Sequence, residues 1–86
     1  MFYVYLIKSK KVNNWVYIGS TGNLRKRIAM HNIGQVRSTK YYCPFRIIYY
    51  EAYLSEKDAR KREQNLKLRS NAFNQLRKRL IESLES

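Results

Sequence analysis

The sequence predicts a small α/β domain in which a three-stranded, mainly antiparallel sheet is flanked by three helices in the order ββαβαα. Two patterns carry that prediction. Near the amino terminus, β-branched and aromatic residues recur with the period of two that a strand requires, and toward the carboxyl terminus apolar residues recur at helical spacing. A length of 86 residues confines both patterns to one domain, residues 1–86, near the size at which a single hydrophobic core still holds a chain together.

In the first element, Phe2 to Ile7, the residues Tyr3, Tyr5 and Ile7 share one face. A polar turn rich in Lys and Asn follows, and Trp15 to Gly19 repeats the alternation as the second arm of an antiparallel hairpin. With the turn centred near Lys11, Tyr5 lies opposite Tyr17 and Ile7 opposite Trp15, so that both phenols project from one face. Ser20-Thr21-Gly22-Asn23 supplies turn and cap chemistry and Gly34 a stop, which predicts a first helix from about Asn23 to Ile33. Leu24, Ile28 and His31 form its inner stripe. Arg27, three residues after Leu24, falls on the same side, whereas Arg25 and Lys26 face water.

Residues 34–44 have loop composition, and Arg46 to Glu51 reads as a third strand with Ile47, Ile48, Tyr49 and Tyr50 largely buried. Ser55, with Asp58 three residues on, has the form of a capping box and opens a second helix from about Glu56 to Arg69. Ala59, Glu63 and Leu66 line the inner face of that helix, so Glu63 points toward the sheet, while Glu56 sits in the exposed first turn. Beyond Ser70 and Asn71, the spacing of Phe73, Leu76, Leu80 and Leu84 predicts a third amphipathic helix.

Charge narrows the partners. The formal net charge is +12, and no aspartate or glutamate precedes Glu51, so much of the surface is a positive field that attracts polyanions. Nucleic acid is the leading partner, and an anionic membrane surface the weaker one. No apolar run approaches the roughly 18 to 20 residues of a membrane span, and the amino terminus lacks a signal-peptide layout, so a cytoplasmic protein is expected. The single Cys43 can close no internal disulfide, and with the single His31 it cannot assemble a Cys/His zinc site. Beside Pro44 it reads as an ordinary reduced thiol.

Four inward side chains then suggest chemistry. Hydrolysis of a phosphodiester needs a base or positioner for water, positive charge for the developing pentacoordinate phosphorus, and help for the departing oxygen. Arginine matches phosphate oxygens with a planar, permanently charged fork. A lone carboxylate such as Glu63 suits one Mg2+ or Mn2+ that keeps most of its waters. Tyrosine, with an ordinary pKa of about 10, serves as a base only where cations favour the phenolate. Taken singly, each residue has a structural alternative: half-buried sheet tyrosines, a solvated arginine, an inert pairing of Glu63 with Arg27 or Arg62, and a packing role for His31. Their joint occurrence, in order and on inward faces, favours a site.

The runs Tyr3-Val4-Tyr5-Leu6-Ile7, Val16-Tyr17-Ile18-Gly19, Asn23-Leu24-Arg25-Lys26-Arg27 and Arg62-Glu63-Gln64-Asn65-Leu66-Lys67 together resemble the GIY-YIG nuclease family, from Phe2 to about Arg69. The resemblance is to a small stand-alone member, similar to the amino-terminal nuclease module of the bacterial excision-repair incision protein. It implies a metal-dependent endonuclease acting on nucleic acid, with DNA favoured over RNA and the two not distinguished by the sequence. Tyr5 and Tyr17 would orient and activate the attacking water, Arg27 would contact the scissile phosphate, and Glu63 would hold a single Mg2+ or Mn2+. Gly19 would permit close backbone approach, and Arg25, Lys26, Arg27, His31 and Lys40 would complete the nucleic-acid surface. One departure stands in the first motif, where Tyr3 occupies the place of the name-giving glycine. The alternative is a non-cleaving nucleic-acid-binding module of the same fold. With no room for a separate DNA-reading domain, specificity is expected from substrate shape or a protein partner, and the chain is expected to be a monomer or weak homodimer.

Overall fold

The computed structural model describes the backbone of residues 1–86 and the side chains of residues 1–69 and 71–86. Strands β1 (Phe2–Ser9) and β2 (Val16–Thr21) form a hairpin, and helix α1 (Leu24–Asn32) follows. A short 3-10 turn, Lys40–Tyr42, leads into β3 (Phe45–Tyr53). Helices α2 (Glu56–Leu68), α3 (Ser70–Arg79) and α4 (Ile81–Glu85) close the chain. The sheet is antiparallel throughout in the order β2-β1-β3, which puts β1 at the centre. The predicted class and element order are those observed, with one refinement. The last predicted helix breaks at Leu80 (φ −118°, ψ 20°), which lets that side chain stay in the core while α4 sets off again.

The hairpin register differs from the expected one. Tyr5 pairs with Gly19 and Ile7 with Tyr17, so the turn is centred one residue later than Lys11. Ser9 explains the longer turn. Its hydroxyl accepts the backbone N–H groups of Lys11 (3.0 Å) and Val12 (2.9 Å) and donates to the Tyr42 carbonyl (2.6 Å), which saturates it and folds the crest of the turn back onto β1. Asn14 completes the crest in the left-handed region (φ 63°), where asparagine is among the least strained residues. Because the partner shifts by two residues, an even number, Tyr5 and Tyr17 keep the same face and become diagonal neighbours.

The two faces of the sheet carry separate cores. Val4, Leu6 and Ile18 pack with Ala59 and Leu66 of α2 and Leu76 and Leu80 from the carboxyl-terminal helices. Tyr5, Ile7 and Phe45 pack on the other face with Trp15, Tyr17, Leu24 and Ile28, beneath α1. Strand β3 is longer than expected and less covered. Ile47 and Tyr50 are exposed, and Ile48 and Tyr49 only half-buried, because β3 is an edge strand that bulges opposite Leu6 and Ile7. Ser55 caps α2 by position, yet its side chain makes no cap hydrogen bond, so the capping box with Asp58 does not form.

On the α2 side, Glu51 ties β3 to the helix. Arg62 forks onto it (Nε to Oε1 3.0 Å, Nη2 to Oε2 3.0 Å), Tyr49 donates at 2.8 Å, and Tyr53 donates to Oε1. Burial alone would raise the Glu51 pKa, but these donors outweigh it and hold the carboxyl below its ordinary range. Removing that carboxylate leaves one guanidinium and two phenols without their acceptor. Glu51→Ala is expected to lower unfolding free energy by about 3 kcal/mol in urea titration, whereas Glu56→Ala, which breaks the exposed pair with Arg60 and removes one first-turn carboxylate, is expected to cost about 1 kcal/mol or less.

Candidate active site

Tyr5 stands at the centre of the site because β1 stands at the centre of the sheet. It is 1% exposed, and its ring lies across Gly19 on the neighbouring strand. A Cβ at position 19 would fall 2.5 Å from Tyr5 Cζ and nearer still to the hydroxyl. The last residue of the second motif is therefore a glycine to make room for the last residue of the first.

The Tyr5 hydroxyl lies 2.7 Å from His31 Nε2, and His31 Nδ1 lies 2.8 Å from Thr39 Oγ1. Thr39 spends its one hydroxyl proton on the Val36 carbonyl, so it accepts from Nδ1–H. His31 Nε2 is then bare, and Tyr5 donates to it. Burial drives the Tyr5 pKa up to about 12, with Arg27 beside it offsetting part of the rise. Burial, with the Arg27 charge adding to it, pushes His31 down to about 4. At neutral pH both groups are uncharged, and the chain Tyr5–His31–Thr39 is a fixed relay of neutral hydrogen bonds.

Arg27 enters from α1, which Asn23 starts by accepting the Lys26 N–H at 3.1 Å. Its Nε is buried and has no hydrogen-bond partner. Tyr17, half-buried, is held from several sides. Its ring stacks parallel to Trp15 at 6.4 Å and meets His31 edge-on at 5.4 Å, and Lys67 Nζ lies 5.1 Å from its centroid. Glu63 comes from α2, on the opposite layer. Oε1 accepts the Ser20 hydroxyl at 2.6 Å and Oε2 pairs with Lys67 at 2.9 Å. Lys67 thus bridges the two faces, joining the carboxylate to the ring of Tyr17. Arg27, Tyr17 and Glu63 all act electrostatically on the Tyr5 phenol.

Two expected nucleic-acid contacts need correction. His31 is fully buried, and Gly19 is buried beneath the Tyr5 ring, so neither presents a surface to a polymer as the chain stands; both serve to seat Tyr5. Arg25, Lys26 and Lys40 are exposed. Tyr5 also differs from expectation, since a phenol sealed this far cannot meet bulk water. Thr39, Ser20 and Lys67 were not anticipated. Lys67 was legible as the i+4 partner of Glu63, but nothing local marks Ser20 or Thr39.

Comparison with known proteins accords with this arrangement. Residues 1–78 match the GIY-YIG catalytic domain. The chain belongs to the GIY-YIG family. Among curated GIY-YIG relatives, a UPF0213 protein of Staphylococcus haemolyticus (strain JCSC1435) is 39% identical over 66 residues, covering 76% of this chain and 78% of the relative. A UPF0213 protein of Clostridium perfringens (strain 13 / Type A) is 37% identical over 68 residues, 78% of this chain and 71% of the relative. One from Streptococcus pyogenes serotype M3 is 33% identical over 75 residues, 86% and 79% respectively. No solved structure matches the chain. Family membership supports a nuclease-type function. Among the described residues, no helix is long and apolar enough to cross a membrane.

The donor set of this GIY-YIG site bears on a cation. Among the described residues no three His, Cys, Asp or Glu side chains gather into a cage, so Glu63 is the one hard ligand that the four groups offer. A single carboxylate fits a cation that retains its waters and borrows phosphate oxygens. It fits here on one condition, that the Lys67 ammonium leaves Oε2. Lys67 is 41% exposed on a flexible stem and free to do so.

Two outcomes follow from the Tyr5 seat. Gly19→Ala forces the buried ring out of place and is expected to cost about 1–3 kcal/mol in thermal or urea unfolding. His31 is the chain's only histidine, and its folded pKa lies below the unfolded value of about 6.5. The unfolded state therefore binds the extra proton first, so stability is full above pH 6.5 and declines as pH falls from there toward 4. Urea midpoints should drop between pH 6.5 and 5, and His31→Gln should flatten that slope.

Proposed function

We propose that the chain is a divalent-metal-dependent endonuclease that hydrolyses phosphodiester bonds of nucleic acid, with DNA as its substrate. The observation that carries this reading is Arg27 Nε, buried and without a hydrogen-bond partner beside the Tyr5 phenol. An orphaned N–H of this kind costs about 1–3 kcal/mol, and a phosphate oxygen removes that cost while the guanidinium neutralises its charge. The net charge of +12 draws the polyanion in.

In this reading the water oxygen attacks phosphorus, the bond to the leaving oxygen breaks, and the leaving oxygen takes up a proton from solvent. Tyr17, the more accessible phenol, acts in this reading as phenolate, its own proton having gone to solvent, and becomes the neutral phenol again by accepting the proton of the attacking water. The Lys67 ammonium, 5.1 Å from the centre of its ring, adds positive charge beside the phosphate, where negative charge builds up. Arg27 binds the phosphate and holds its orientation. Tyr5 is a positioning residue, since its proton is committed to His31 and its oxygen lies beside Arg27. Glu63, with Ser20 fixing Oε1, would hold one Mg2+ or Mn2+, which when bound supplies charge neutralisation at the phosphate and the departing oxygen.

A second reading has one observation in its favour. Both oxygens of Glu63 are already engaged, as in a structural ion pair, which suits a module that binds nucleic acid without cutting it. A plasmid-nicking assay separates the two. Supercoiled plasmid is expected to open in Mg2+ or Mn2+ and to persist in EDTA. Glu63→Ala should abolish nicking while binding, read by fluorescence anisotropy, persists. Arg27→Lys should slow nicking by roughly 100-fold, because an ammonium cannot reproduce the planar fork. Binding without nicking in any divalent metal would establish the second reading.

A further inference from the structure

Beside the candidate active site, on the same face of the sheet, lies a groove of about 590 Å3 between β3 and the start of α1. Its walls are Tyr3, Tyr50 and Ile47 from the sheet and Leu24, Arg25 and Ile28 from the helix. Its volume falls within the roughly 300–1,000 Å3 common for small-ligand sites. We propose that this groove is a base-stacking subsite, which takes an unpaired nucleobase next to the phosphate bound by Arg27, so that the substrate is single-stranded or branched nucleic acid rather than intact duplex. The assignment rests on the nucleic-acid reading above and adds to it the class of substrate.

Continuity is the first ground. Tyr50 is the direct cross-strand partner of Tyr5, on the side away from Gly19, and Ile47 is the partner of Ile7. Opposed residues of an antiparallel pair share a face, so the groove begins one strand away from the buried phenol. On the helix side, Leu24 and Ile28 line the groove within the same turn that sends Arg27 inward.

The second ground is an aromatic wall built to stay open. Tyr50 remains 54% exposed although α1 covers the same face over Tyr5 and Ile7. Tyr3 meets it at 6.0 Å with the rings inclined by 64°, an edge contact that fixes the Tyr50 ring without stacking on it. Ordered and uncovered, such a ring is a platform for a flat partner.

Charge selects the partner. Arg25 is an exposed cation at the rim, no acid lines the groove, and none occurs in the sequence before Glu51. A second copy of the chain would bring another +12 to this face, whereas a polynucleotide brings an aromatic base and an anionic backbone together. Within a duplex the base faces are occupied by their neighbours, so only an unstacked base can enter.

The test reads binding in EDTA, and so does not depend on cleavage. Anisotropy of a fluorescein-labelled 12-nucleotide oligothymidylate and of a duplex of equal length is compared for wild type, Tyr50→Ala and Tyr50→Phe. Tyr50→Ala should weaken single-strand binding by about 5- to 100-fold and leave duplex binding unchanged, with Tyr50→Phe restoring the single strand. A 2-aminopurine placed within the single strand should lose fluorescence on binding wild type, a readout that holds even where Tyr50→Ala fails to fold. Equal effects of Tyr50→Ala on both substrates, no quenching of 2-aminopurine, or a dimer in sedimentation that Tyr50→Ala dissolves would each overturn the subsite. Absence of any nucleic-acid binding would instead remove the reading on which it rests.

Discussion

The seating of one phenol in the space left by a missing Cβ organises this molecule. Tyr5 occupies the middle of the central strand, lies across Gly19, and donates a hydrogen bond to a histidine that is itself held by Thr39. Everything on the α1 face takes its position from that arrangement. The helix approaches closely enough for His31 to be sealed, and the same approach carries Arg27 inward beside the Tyr5 oxygen. Tyr17 then fills the diagonal place on β2, between His31 and Trp15. A side chain at position 19 would disturb all of these together, because they share one ring as their reference.

The electrostatics follow from where the groups lie relative to water. Burial keeps the two titratable members of the relay uncharged at neutral pH, so they contribute order rather than charge. Charge is supplied by Arg27, turned inward beside the Tyr5 oxygen, and by Glu63 and Lys67, of which Lys67 is exposed enough to change partners. This division separates a neutral hydrogen-bonded core from the charged groups around it. It also separates Glu63 from Glu51. Glu51 accepts from Arg62 and two phenols and is locked into the α2 layer, whereas Glu63 holds a lysine that can swing away.

The edge strand has a related consequence. α1 packs over Tyr5, Ile7 and Phe45 but leaves Ile47 and Tyr50 of β3 open, so these two continue the buried aromatic face into solvent. An apolar edge of this kind invites aggregation unless charge or a partner covers it. Here the surrounding field is strongly positive, which discourages self-association and suits a polyanion.

The order of elements, the face shared by Tyr5 and Tyr17, the inward turn of Arg27 and the helical position of Glu63 were all legible in the sequence, because side-chain periodicity is set locally by backbone geometry. The register of the hairpin was not, since it depended on Ser9 bonding backward to two turn amides and across to Tyr42. The exposure of β3 was hidden for a similar reason: strand order decides which strand is the edge, and order is a long-range property. That His31 and Gly19 are internal supports for Tyr5 could not be read from either motif alone, for each is explained by a residue on another element. Periodicity thus determined which side chains face inward, while only the packing of α1 and α2 on opposite sides of the sheet decided which of them meet, because distances between elements depend on contacts far apart in the chain.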